Sequence, residues 1–226
     1  MDPREAIIWY AVFVFSATLH EAAHAYFAKK GGDLTAYLGG QVSLDPLPHM
    51  RREPVGMVIL PLVSLYFMGW PIGFASAPYN LQWAYDNHRK AAKMALAGPM
   101  SNLCMVVLSV ILMKIGLSMG YFVPPEAKRL AQLVTGAETG VAVNISILLS
   151  TFCSLNLVLT ILNLIPLPPL DGSEIISFFL TKAQARKYKD FMHRPGLSLM
   201  GMFIAWNVFP ALFGPAINVV LQLIYS

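Results

Sequence analysis

Of the 226 residues, 56% are hydrophobic and only 12% are charged, with a mean hydropathy of +0.58, far more apolar than a soluble domain of this length. This excludes a water-soluble globular fold. The net charge of +4 would point a soluble protein toward an anionic partner, but here the lysines and arginines sit mostly in short loops between apolar runs. There they report topology, and nucleic-acid binding gets no support.

The first apolar run, about residues 6–28, is long enough to cross a bilayer. It lacks a convincing small-residue cleavage site and reads as a retained span. Its C-terminal end carries HEAAH, His20 to His24. Four residues apart on a helix, the two imidazoles project from one face and can grip one Zn²⁺ at roughly 2.0–2.1 Å. Glu21 falls beside the metal, where it can take a proton from a water activated by zinc and pass it to a leaving amine. The plainer alternative is a helix end whose polar groups meet headgroups and water. Ionisable groups in a span are costly and usually functional, which favours the metal.

Residues 54–76, PVGMVILPLVSLYFMGWPIGFAS, contain Pro61, Pro71 and three glycines, which suits a broken or re-entrant element better than a straight span. If this stretch crosses fully, His24 and Asp171 fall on opposite sides of the membrane; if it dips in and returns, they share a side. The re-entrant arrangement puts 12 basic residues on one side and 4 on the other, against 9 and 7 for full crossing. The positive-inside rule therefore predicts a re-entrant stretch, an outside N-terminus, and HEAAH near the cytoplasmic face of the cell membrane. Re-entrant backbone is tolerated only where it lines protein or a wet cavity, and a wet cavity is what hydrolysis needs. The segment 69–78, GWPIGFASAP, reads equally as a strand edge for an unwound substrate or as a simple loop.

Further spans are predicted at about 92–118, 141–164 and 197–224. The last contains Pro210 and Pro215 and reads as a kinked helix or a helical hairpin. Cys104 and Cys153 lie inside apolar runs without metal or redox spacing and read as small buried hydrophobes. The polar stretches 77–91 and 119–140 are too short to fold alone. The expected fold is an all-α polytopic membrane protein of about four to six transmembrane helices, with a re-entrant or short β-like element at 54–80. One membrane-embedded domain covers 1–226, with a core of about 6–180 and a C-terminal helix or hairpin at 197–224.

A catalytic zinc normally has three protein ligands, and the remaining donors are few: His49, His88 and His193 in basic loops, Glu174 after a turn, and Asp171. Asp171 lies in NLIPLPPLDG, residues 163–172, where three prolines in four positions stop the preceding helix and Gly172 permits a tight turn. From spacing alone, ligand and helix N-cap are equally good roles for it.

HEAAH, AGPMSN at 97–102 and NLIPLPPLDG, in that order, resemble the site-2 protease family of intramembrane zinc metalloproteases. GQVSLDPLPH at 40–49 and GWPIGFASAPYN at 69–80 are similar to its small bacterial and archaeal branch, which lacks PDZ and CBS domains. The resemblance implies His20, His24 and Asp171 as ligands of one Zn²⁺ per chain and Glu21 as the catalytic base. It also implicates Asn102 and Asn163 near the metal, where an amide N–H can stabilise an oxyanion. Asn156, on the same helix face as Asn163, reads as an interhelical hydrogen bond.

The implied activity is zinc-dependent hydrolysis of a peptide bond within or next to a transmembrane segment of a membrane-protein substrate. The partners are then that substrate and the lipid bilayer. A zinc carrier or scaffold is the competing interpretation, disfavoured because Glu21 has no role in a closed structural site and because polar residues flank the metal on only one side. The basic run KAQARKYKDFMHR at 182–194 reads as a solvated loop or an anionic-headgroup contact.

Overall fold

The computed structural model describes residues 2–127, 129–138 and 140–226; Lys128, counted above on the far side, lies outside the described residues. Helix α1, Pro3–Gly31, starts at Asp2, whose side chain accepts from the Arg4 amide, and stops at Gly32 in the left-handed conformation. The short helices α2, Thr35–Leu38, and α3, Pro46–Arg52, follow beside its C-terminal end. His49, expected in a basic loop, is instead buried within α3.

The ambiguous apolar stretch doubles back on itself. A π-helical turn, Val55–Ile59, leads into α4, Leu60–Met68. Pro61 lacks an amide and crowds the carbonyl four residues back, so the ladder widens there. After Gly69 the chain returns without regular secondary structure over residues 71–80. The Ser76 hydroxyl donates to Glu53, and the Phe74 amide donates to the Gly56 carbonyl at 3.1 Å. Entry and exit are thus tied together at one level.

Helix α5, Leu81–Asp86, precedes α6, His88–Ser118. A small antiparallel pair, β1 (Phe122–Val123) with β2 (Thr135–Gly136), lies at the far end of α6. Helix α7, Val141–Leu164, returns to the first side, where α8 (Asp171–Ile175), a 3₁₀ turn (Ile176–Phe179) and α9 (Lys182–Met192) follow. Helix α10, Leu197–Tyr225, is one continuous helix despite Pro210 and Pro215, not a hairpin.

Four helices, α1, α6, α7 and α10, are long and apolar enough to cross a membrane. The protein is a multi-pass membrane protein. Helix α6 packs along both α1 and α7. One apolar cluster joins Val106, Met113, Cys153 and Leu157 to Val220 and Ile224; a second joins Trp9, Phe13, Met57 and Leu155. Ser16, Asn102 and Asn156 form a buried polar layer where α1, α6 and α7 meet.

Candidate metal centre

His20, Glu21 and His24 are all buried, at 6%, 6% and 7% exposure, in the α1 face that meets α6. Each histidine has its Nδ1 engaged. His24 Nδ1 donates to the Met94 carbonyl at 2.7 Å, beside the break that Pro99 makes in the α6 ladder at Ala95. His20 Nδ1 donates to Asn102 Oδ1. The orientation of Asn102 is fixed because its Nδ2 donates to Asn156 Oδ1 at 2.7 Å and to the Ser16 carbonyl at 3.4 Å. Asn156 Nδ2 in turn donates to Ser16 Oγ at 2.9 Å. Both Nε2 atoms are left with lone pairs, the arrangement that outer partners impose on metal-binding histidines.

Asp171 arrives from the other end of the chain. The prolines at 166, 168 and 169 end α7 and turn it back, and Leu170 rather than Asp171 occupies the N-cap of α8, with no side-chain cap bond. The carboxylate instead reaches His20 Nε2 at 3.1 Å and His24 Nε2 at 3.3 Å. Burial opposes its charge, and it is positive charge at the His24 and His20 Nε2 positions, from a proton or a shared cation, that holds it well below the usual carboxylate range. Gly172 is required for a different reason than a turn: a Cβ there would strike the Leu164 and Ile165 carbonyls at the end of α7.

The donor set fits zinc. His20 Nε2 and His24 Nε2 lie 2.9 Å apart, and with Asp171 Oδ2 they form a triangle of electron pairs that needs a cation at its centre. Tetrahedral bonds of about 2.0–2.1 Å require ligand atoms roughly 3.3 Å apart, close to these edges. Gly98 of α6 completes the cradle. A Cβ at Gly98 would lie 2.5 Å from His20 Nε2 and closer still to His24 Nε2. Glu21 belongs to the same cluster, its carboxylate within 4.8 Å of a ring nitrogen of both histidines.

Asn163 is placed differently. It is half-buried on α7, its Nδ2 donates to the Leu159 carbonyl of its own helix at 3.0 Å, and it does not line the cavity beside the cation site. That cavity, about 320 Å³, opens beside Glu21, His24 and Asp171 and is walled by Ala75–Ala77, Tyr79 and α9. Among the described residues, the backbone groups of Ala75 and Ala77 have no hydrogen-bond partner. Burial, aided by Glu174 and Asp171, pushes the Tyr79 phenol up to about 12, so it is a permanent donor in the wall.

The spacing signal for Gly98 was present in the sequence, because it lies four residues before Asn102 and so on the same helix face. The Met94 carbonyl had no such signal. The polar groups behind His20 are more numerous than expected, but Asn102 and Asn156 are fully buried and hydrogen-bonded to one another. They form a closed support, not an ion path.

HExxH and a distant aspartate thus surround one candidate cation site within a bundle of membrane-length helices. The chain belongs to peptidase family M50, whose model matches residues 8–208. It is 34% identical over 163 residues to YwhC of Bacillus subtilis, which carries the name of a zinc metalloprotease, covering 72% of this chain and 64% of that protein. To Rip2 of Mycolicibacterium smegmatis, similarly named, it is 30% identical over 166 residues, covering 74% of this chain and 54% of that protein. The chain therefore spans a little over half to about two thirds of these relatives. No solved structure matches it.

Proposed function

We propose that this protein is a zinc-dependent endopeptidase that hydrolyses a peptide bond within or next to a transmembrane segment of another membrane protein. The observation that carries this reading is the burial of His20, Glu21 and His24, with half-buried Asp171 against both histidines, around one cation site inside a bundle of membrane-length helices, beside an open cavity. His20, His24 and Asp171 would hold the metal. Bound zinc supplies Lewis acidity toward the scissile carbonyl and the attacking water.

Glu21 then takes the proton of that water and delivers it to the leaving amine. Asn102 is a positioning residue, since its Oδ1 fixes His20 and its Nδ2 is committed to Asn156 and Ser16. An amide to meet the oxyanion would come from Asn163, which is bound only to a carbonyl of its own helix and would have to turn into the cavity from outside its wall. The unpaired backbone groups of Ala75 and Ala77 support a substrate held as an added strand along the cavity, with its helix unwound so that a carbonyl is available.

The site is assigned to the cytoplasmic side of the cell membrane on the positive-inside count. Cationic side chains there lie over aromatic rings, Lys29 over Tyr37 at 3.4 Å and Lys30 over Tyr26 at 4.7 Å, as at a headgroup interface. The deciding experiment is zinc analysis with a cleavage assay on purified wild type, Asp171→Ala and Glu21→Gln. Zinc near one per chain in wild type and Glu21→Gln, loss of zinc in Asp171→Ala, and cleavage only by wild type is the expected pattern. Cleavage by Glu21→Gln, or full zinc in Asp171→Ala, refutes it.

A further inference from the structure

Lys189 is 2% exposed, although it belongs to α9, whose other lysines and arginines face outward. Its Nζ forms an ion pair with Glu174 and donates to the Ala84 carbonyl at 3.0 Å. Glu174 also accepts from Ser177 Oγ at 3.1 Å, and the Tyr188 hydroxyl ties α9 to the Ser173 carbonyl of α8 at 2.9 Å. A buried ion pair is not needed for stability, since apolar residues of equal volume do as well or better. This pair stands at a particular place.

Glu174 follows Asp171 by three residues in α8, so the two side chains lie on one helix face with Cβ atoms roughly 5–6 Å apart. Both carboxylates line the cavity with Glu21 and His24. A free carboxylate one turn from a metal ligand, facing the same cavity, is a competing ligand. A fourth protein ligand closes a zinc shell in the manner of structural sites and removes the position that catalysis needs.

We propose that Lys189 is a positioning residue that holds Glu174 away from the metal and so keeps the fourth coordination position open. This inference rests on the metal site argued above. Without the lysine, Glu174 swings toward the metal, binding becomes tighter and turnover falls.

The test is zinc affinity by chelator competition, together with the visible spectrum of the Co²⁺-substituted protein, which reports coordination. Lys189→Met is expected to bind zinc at least tenfold more tightly and to change the cobalt spectrum. Lys189→Met combined with Glu174→Gln should return both readouts to wild type, because no carboxylate remains to be released. Unchanged or weaker zinc binding in Lys189→Met overturns the inference, as does tighter binding that persists in the double variant. Should the Met variant not fold, Lys189→Gln keeps a donor for the Ala84 carbonyl and must shift zinc affinity in the same direction; wild-type affinity there is equally fatal. Asp171→Ala separates the two levels of the argument. If it retains zinc, the metal site is wrong; if it loses zinc while Lys189→Met is unchanged, only the role of Lys189 is wrong.

Discussion

Gly98→Ala is the sharpest perturbation of the site. The added methyl carbon would sit 2.5 Å from His20 Nε2 and 2.6 Å from His24 Cε1, where unstrained contacts lie at roughly 3.5 Å or beyond. One imidazole or the α6 backbone must therefore yield by about 1 Å. Metal–ligand distances tolerate only about ±0.2 Å. Disturbing an outer partner of a ligand already costs about 10–100-fold in affinity, so displacing the ligands themselves should cost at least about 100-fold, or roughly 2.8 kcal/mol. The same substitution raises helix propensity by about 1 kcal/mol, so the zinc-free protein should be no less stable. Chelator competition measures the first quantity and thermal unfolding of the zinc-free protein the second. Zinc affinity within threefold of wild type, with helix content intact, would refute the reasoning.

Further expectations separate the two asparagines. Asn102→Ala should weaken zinc by about 10–100-fold, as loss of a histidine's partner does, whereas Asn163→Ala should leave zinc unchanged and lower turnover by about 100-fold or more; equal effects on zinc would remove the distinction. The raised Tyr79 pKa means that the folded protein favours the neutral phenol. Its contribution to stability is present below the unfolded value of about 10 and lost as pH rises through about 12. An ultraviolet titration of wild type minus Tyr79→Phe should show that phenol ionising near 12, and a midpoint near 10 would contradict its burial. For topology, cysteine placed at Leu44, which is 57% exposed, should resist impermeant reagents in intact cells, whereas cysteine at Tyr121, 59% exposed, should react. Cys104 and Cys153 are replaced by serine first, and labelling of position 44 from outside inverts the orientation. Position 49 does not serve, because His49 is buried.

The parts of this molecule legible in its sequence are those governed by length and period. Four apolar runs became four membrane-length helices, and the proline- and glycine-containing stretch 54–76 doubles back as a broken element. HEAAH is local, so one helix suffices to bring its histidines together. What was not legible depends on which surfaces meet. The run 182–194 looked like a solvated basic segment, yet Ala185 and Lys189, four apart, form the buried stripe of α9. Charge masked that period, because a lysine at an inward position is the exception that patterning rules do not anticipate. The direction of the Asn102 amide was likewise open until Asn156 and Ser16 were seen beside it. Continuity of α10 through two prolines also needed the structure, since proline in a membrane helix breaks the chain in some contexts and is absorbed in others.

The polar layer beneath the metal site also bears on how the protein is made. Helix α1 is the least apolar of the four spans, with a best-window hydropathy of 1.4 against 2.0 for α6 and 2.1 for α7. It carries Ser16, His20, Glu21 and His24, and charged residues at the centre of an inserting helix cost about 2.5–3.5 kcal/mol each. The groups that satisfy Ser16 lie 86 and 140 residues further along the chain, on Asn102 and Asn156. Helix α1 should therefore stay poorly matched to lipid until α6 and α7, which carry those partners, have been synthesised. Nascent chains cut short before α6 should be held at the insertion machinery or degraded, and the candidate metal site would be assembled by the same event that makes α1 stable in the bilayer.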